Sequence, residues 1–162
     1  MNIQYLNILK DNPTLEINKS GYFSTIQGVS EEIISQLEQK YNNGNPFPKA
    51  LKELLFLAGK FCYVLDTGRN ETPEELQQYV RKKLSKDNLS INKPFYAIDV
   101  YNALDQCLVV FFDEGDDPYV YEVIYDYESY GDEIQFINKL NFRLSEYIKN
   151  AVNDVKMGLN PF

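Results

Sequence analysis

Histidine is absent from the 162 residues. Without it there is no Ser-His-Asp or Cys-His nucleophile, no histidine general base and no histidine-ligated metal, which removes most hydrolase templates. Tryptophan is absent as well, and cysteine occurs only as Cys62 and Cys107. These two stand far apart among large apolar neighbours, which suits neither a CxxC redox pair nor a disulfide framework and reads as two buried thiols. No apolar run approaches the roughly eighteen residues that span a bilayer. The opening Met1-Asn2-Ile3-Gln4-Tyr5-Leu6 also lacks the basic lead and small-residue cleavage site of a signal peptide. The expectation is a soluble, cytoplasmic protein with no membrane partner.

Basic residues are missing from one long stretch. Residues 94–138 carry eleven acidic side chains and no basic one, whereas residues 1–93 carry twelve basic and eleven acidic and residues 139–162 four and two. The whole acidic excess therefore comes from the middle of the chain. A net charge of -8 and a pI near 4.6 argue against direct nucleic-acid binding, which draws its affinity from Lys and Arg. Seven of the thirteen tyrosines fall in the same stretch: Tyr96, Tyr101, Tyr119, Tyr121, Tyr125, Tyr127 and Tyr130. Such a segment is either the solvated rim of a sheet or a protein-binding face. With 44% hydrophobic and 25% charged residues the composition is globular rather than disordered. A chain of this length reads as one domain over 1–162, with a core of about 1–157 and a short tail at 158–162 that is loose unless Phe162 docks.

Periodicity then divides the chain. Ile3, Leu6 and Leu9 form one stripe and predict a helix over Ile3 to Lys10, ended at Asn12-Pro13. Residues 13–29 read as a loop with a brief strand around Tyr22 to Gln27. Ser30 is placed to N-cap a helix with Glu31 and Glu32 in its first turn and Ile33, Ile34, Leu37 and Tyr41 at helical spacing. Pro46-Phe47-Pro48 opens another that carries Leu51, Leu54, Leu55 and Ala58 to the stop at Gly59. Phe61 to Asp66 reads as a buried strand. Thr72-Pro73-Glu74-Glu75 combines an N-cap, a proline at the first helical position and a capping-box glutamate, and opens a helix through Leu84 with a basic end at Arg81, Lys82, Lys83 and Lys86. From Pro94 the period changes. Phe95–Tyr101, Gln106–Phe112 and Tyr119–Tyr125 are separated by short polar connections and predict an antiparallel meander. A last helix runs from about Leu144 to Lys156, with Ser145 as cap and Gly158 as stop. The expected fold class is α+β, an antiparallel sheet covered by N-terminal, middle and C-terminal helices.

The stretch Gly28-Val29-Ser30-Glu31-Glu32-Ile33 leading to Leu37-Glu38 and Tyr41, with Pro48 opening the next helix and Leu55 to Gly59 closing it, resembles the paired opening helices of the SUKH superfamily. Phe95-Tyr96-Ala97-Ile98-Asp99, Cys107-Leu108-Val109-Val110-Phe111-Phe112-Asp113 and Asp117-Pro118-Tyr119-Val120-Tyr121 are similar to that family's successive strands. The resemblance covers about residues 1–150. It implies a SUKH-like fold and the work of the family's many bacterial immunity proteins, which bind and neutralise polymorphic toxins without catalysis or cofactor.

Candidate chemistry follows from the acidic stretch. Asp113, Glu114, Asp116 and Asp117 lie in one hairpin loop, and Asp126, Glu128, Asp132 and Glu133 follow the third strand. Adjacent-strand geometry is expected to bring both groups to one end of the sheet. A basic toxin, a nuclease among the candidates, would be drawn to such a field and anchored by tyrosines, which makes Asp113, Glu114, Asp116, Asp117, Tyr119, Tyr121, Asp126, Tyr127, Glu128 and Tyr130 the candidate partner-binding residues. As exposed carboxylates in a turn, the first four are expected to be replaceable without loss of fold. No catalytic, cofactor or metal residue is expected: counting an EF-hand from Asp126 places Tyr130 and Ile137 where oxygen ligands belong. Two other classes stay open, an intracellular scaffold or regulatory module and a small carboxylate-dependent hydrolase. The basic helix end is accounted for by the helix macrodipole.

Overall fold

A computed structural model describes residues 1–100, 105–130 and 135–160, and all but the side chain of Tyr130 among them. Tyr101, Gly131, Asp132, Glu133 and Phe162 lie outside the described residues. The order of elements is α1 (Asn7–Asp11), β1 (Thr14–Ile17), β2 (Tyr22–Thr25), α2 (Glu31–Tyr41), α3 (Lys49–Ala58), α4 (Pro73–Lys86), β3 (Phe95–Asp99), β4 (Gln106–Phe111), β5 (Tyr119–Ile124), a 3-10 turn (Tyr127–Tyr130), β6 (Ile137–Arg143) and α5 (Leu144–Met157). The chain is α+β: a four-stranded antiparallel sheet in the order β3-β4-β5-β6, and a separate hairpin β1-β2. None of the helices in the described residues is long and apolar enough to cross a membrane.

Both faces of the sheet are buried, because side chains alternate across a strand. Cys107, Val109, Phe111 and Val123 join Leu76, Val80 and Leu84 of α4 in one apolar cluster. Leu108, Val110 and Val120 join residues of α1, α2, α3 and α5 in the other. This double coverage is why β4 reads as a continuous apolar run rather than an alternating one.

Local chemistry places the helices. The Ser30 hydroxyl accepts the Ile33 N–H at 3.3 Å and Thr72 accepts that of Glu75 at 3.2 Å, as caps do. The Glu75 carboxylate reaches the Glu71 N–H rather than that of Thr72, one residue beyond the expected capping box. Gly28 is required by space: a Cβ there would stand 1.7 Å from the Phe56 carbonyl oxygen. Gly158 ends α5 at a φ of 82°, a left-handed conformation that other residues resist.

Five elements differ from expectation. The first helix begins at Asn7, not Ile3, because the preceding amides of Gln4, Tyr5 and Leu6 donate to the buried Glu53 carboxylate at 2.8, 2.8 and 2.9 Å. Phe61–Asp66 is not a strand: Phe61 bridges Gln27, and Cys62 to Leu65 then form a buried turn, since a short apolar run has no period to distinguish the two. β1 was expected as loop and β6 was not expected at all. The polar Ile137–Arg143 segment carries an edge strand whose register slips between Lys139 and Arg143, which erases the alternation. Finally, α5 is preceded by Arg143 at its cap position, and Ser145 lies inside its first turn.

Glu53 has no solvent exposure, and among the described residues its oxygens are the only partners of the Gln4, Tyr5 and Leu6 N–H groups. Glu53→Ala is expected to cost about 3 kcal/mol, the price of stranding those donors, measured as a lower denaturant midpoint at unchanged slope.

Candidate functional site

The two acidic groups do not meet. β4 and β5 pair antiparallel with Gln106 opposite Ile124 and Val110 opposite Val120, so the hairpin loop 113–117 precedes β5 and Asp126 follows it, at opposite ends of the strand. Six residues of strand separate them by about 20 Å. The expectation of a common end fails because consecutive strand ends, unlike hairpin partners, lie at opposite rims.

At the first end half of the acidity is turned inward. Glu114 accepts the Tyr119 N–H at 3.1 Å and the Tyr121 hydroxyl at 2.6 Å. Burial, reinforced by that carboxylate, pushes the Tyr121 phenol up to about 12. Asp117 accepts the Ser145 N–H at 3.0 Å and the Ser145 hydroxyl at 2.6 Å, so it caps α5 from a neighbouring loop. Its carbonyl takes the Arg143 guanidinium at 2.6 Å, and the Asp116 carbonyl takes the Ala50 N–H of α3 at 2.8 Å. Asp113 pairs with Lys93 at 3.0 Å. Tyr119 lies under two cations, with Lys139 Nζ at 3.2 Å and Arg143 Cζ at 4.5 Å from its ring centre. Tyr121 stacks edge-on against Phe111 at 4.7 Å. Only Asp113 and Asp116 of the four loop acids are exposed.

The second end is open. Asp105, Asp126, Tyr127 and Glu128 line a cleft of about 470 Å³ with Lys83 and Asp87 from the end of α4. Lys83 is paired with Asp87 and lies 4.9 Å from the Tyr125 ring centre, so the one cation there is already engaged. Asp126 accepts from the Ser129 hydroxyl at 2.6 Å, which holds the 3-10 turn, and Tyr127 sits 6.0 Å from Phe136. Among the described residues no group of acids or thiols is arranged to hold a metal ion. Asp87 and Asp105 were not singled out from sequence, since the fold alone brings them beside Asp126.

Of the basic helix end, Arg81 is structural. Its guanidinium lies 4.5 Å from the Tyr41 ring centre and 4.3 Å from that of Phe95, and donates to the Phe95 carbonyl at 2.9 Å. Lys82 and Lys86 lie on the helix that carries it. Both thiols are buried and pushed up to about 12 by desolvation, which makes poor nucleophiles of them.

Sequence reasoning also missed Asp99, which closes β3 with 2% of its surface exposed. One carboxylate oxygen accepts the Asp66 N–H at 2.7 Å; the other has no partner among the described residues. Desolvation raises its pKa from 3.8 to about 7, against the opposing hydrogen bond from Asp66 and with a further push from the Asp66 charge. No feature of the run Phe95–Asp99 distinguishes this acid from an exposed strand end.

No protein-family model matches the chain, and neither a curated protein nor a solved structure is significantly similar to it.

Asp117→Ala is expected to lower stability by about 1–2 kcal/mol, the value of a helix cap, whereas Asp116→Asn stays within about 0.5 kcal/mol of wild type. Equilibrium urea unfolding separates the two. Asp99 generates a pH signature of known sign. The unfolded chain loses this proton near its ordinary 3.8 while the fold keeps it to about 7, so the fold binds more protons in that window. Stability therefore falls as pH rises from 4 to 7 and then levels off, by up to about 4 kcal/mol. Asp99→Asn is expected to flatten that part of the stability-pH curve.

Proposed function

We propose that this chain is a cytoplasmic immunity protein, as the SUKH resemblance implies, which binds a basic protein toxin and blocks it by occlusion without chemistry of its own. The observation that supports this reading is the open acidic cleft at the end of β5, where Asp105, Asp126 and Glu128 stand beside Tyr127 and the single lysine is held by Asp87. An uncompensated negative field steers a cationic partner during encounter and sets its orientation. Tyr127, half-buried against Phe136, is the candidate anchor, because aromatic side chains at the centre of an interface carry most of its energy. Asp113 and Asp116 form a second, weaker acidic point at the far end of the strand. Glu114, Asp117, Tyr119 and Tyr121 serve this reading indirectly, by holding the loop that presents them.

A second reading, a scaffold or regulatory module, is favoured by a different observation: Tyr22 and Phe61, 66% and 40% exposed, line one cleft, and Phe23 on the same strand as Tyr22 is 62% exposed. An apolar docking surface is insensitive to salt, and an acidic one is not.

A tagged pull-down from the source cells at low and high ionic strength, with mass spectrometry of the bound proteins, separates the two. The immunity reading expects a basic toxin domain that is released at high salt, and a loss of about tenfold or more in its affinity for Asp105→Asn/Asp126→Asn/Glu128→Gln. A salt-resistant partner without toxin character, or equal capture by the triple variant, overturns it.

A further inference from the structure

The molecule treats its strand edges unequally. On β3 the main-chain groups of Phe95 and Ala97 point away from β4, since Phe112 donates to Pro94 on the inner side. Both are met from α4: the Gln77 side-chain amide donates to the Ala97 carbonyl at 2.7 Å and accepts its N–H at 2.9 Å, and Arg81 takes the Phe95 carbonyl. On β6 the register slips between Lys139 and Arg143, and Asn141 adopts a φ of 61°. A covered edge and a bulged, charged edge are two standard defences against an added strand.

The outer edge of β2 has neither. Its phase is fixed by the Ile26 N–H, which donates to the Pro13 carbonyl at 2.9 Å, so that Tyr22, Ser24 and Ile26 face β1 while Phe23 and Thr25 direct their N–H and C=O groups outward. No hydrogen bond to those four groups occurs among the described residues. The next outward residue, Gln27, is paired in both directions with Phe61, at 2.9 and 3.0 Å. A second strand thus begins beside β2 at Phe61, but the chain turns away at Cys62–Leu65 before reaching Thr25 and Phe23. Adjoining it is a cleft of about 820 Å³ between the Ile17, Tyr22 and Ser24 face of the hairpin and residues 60–71, with Tyr22 and Phe61 on its walls and Tyr63 and Leu65 among its buried lining. It carries Lys60 and Arg69, neither in an ion pair among the described residues, together with Glu71 and with Asp66, one of whose carboxylate oxygens accepts the Gly68 N–H at 2.7 Å.

We propose that this edge takes an extended, acidic segment of a partner protein as an added strand, continuing the ladder that Gln27 and Phe61 begin. The ladder supplies affinity through Phe23 and Thr25, and alternate apolar side chains of the segment enter between Tyr22 and Phe61. The two unpaired cations, on a chain of net charge -8, select carboxylates on the incoming strand. This surface is separate from the acidic cleft, and its occupant differs from a basic toxin in charge.

The test pans a phage-displayed library of random dodecapeptides on the full-length chain and synthesises the enriched sequences. The expected result is a set of peptides with alternating apolar residues and a carboxylate. N-methylation of their amides is expected to weaken binding about tenfold at every second position and little between, the signature of an edge ladder. Thr25→Pro, which removes an outward N–H that no fold contact uses, and Lys60→Glu/Arg69→Glu are each expected to weaken binding to a similar degree. The N-methyl scan is made on the wild-type chain, so the outcome stands even where the proline variant misfolds. Failure to enrich any peptide, an N-methyl scan without alternation, or a dimer in sedimentation that Thr25→Pro dissociates overturns the proposal, the last by assigning the edge to a second copy.

Discussion

Gln77 turns its side-chain amide onto the edge of β3 and occupies both main-chain groups of Ala97, while remaining fully buried itself. The requirement it meets recurs throughout the fold: a buried main-chain donor or acceptor left without a partner costs more than most single contacts contribute. Glu53 answers it for the amides before α1, Asp117 for the start of α5, Glu38 for the Phe47 N–H at 2.9 Å, and Asp99 for the turn at Asp66. Five polar side chains thus join elements distant in sequence. The two apolar clusters supply the bulk of the burial, and these side chains decide how the helices and loops seat upon them.

That division of labour changes the meaning of the acidic composition. Glu114 and Asp117 are fastenings of the β4–β5 loop, and Asp99 is a carboxylate whose burial opposes its ionisation. Among the described residues of the acidic stretch, the exposed carboxylates lie in two places at opposite ends of β5, with the denser group beside the 3-10 turn. A field confined to one cleft steers a partner more selectively than a uniformly acidic surface, because orientation and attraction are then coupled. The β2 edge offers the opposite kind of recognition, directional hydrogen bonds rather than long-range charge.

Much of the architecture was legible in the chain. Ser30 and Thr72 act as caps at the places their neighbours indicate, Gly158 ends α5, and the three runs beginning at Phe95, Gln106 and Tyr119 form the antiparallel meander. Each depends on residues close in sequence, where cap, turn and period are sufficient. The elements that escaped, β1, β6 and the turn at Cys62–Leu65, draw their form from distant partners: β6 exists because β5 pairs with it, and Phe61 is extended because Gln27 lies beside it.

The candidate site divides along the same line. Composition by itself determined that the middle of the chain is acidic and tyrosine-rich, that histidine chemistry is excluded, and that the local elements make an α+β protein. Only the tertiary structure decided which carboxylates are spent indoors, that Asp105 and Asp87 join Asp126 and Glu128, and that the outward groups of β2 have no partner among the described residues. The reason is physical: charge and helix or strand preference belong to a residue and its near neighbours, whereas burial, hydrogen-bond partners and the choice of strand edge are set by whatever the fold brings alongside.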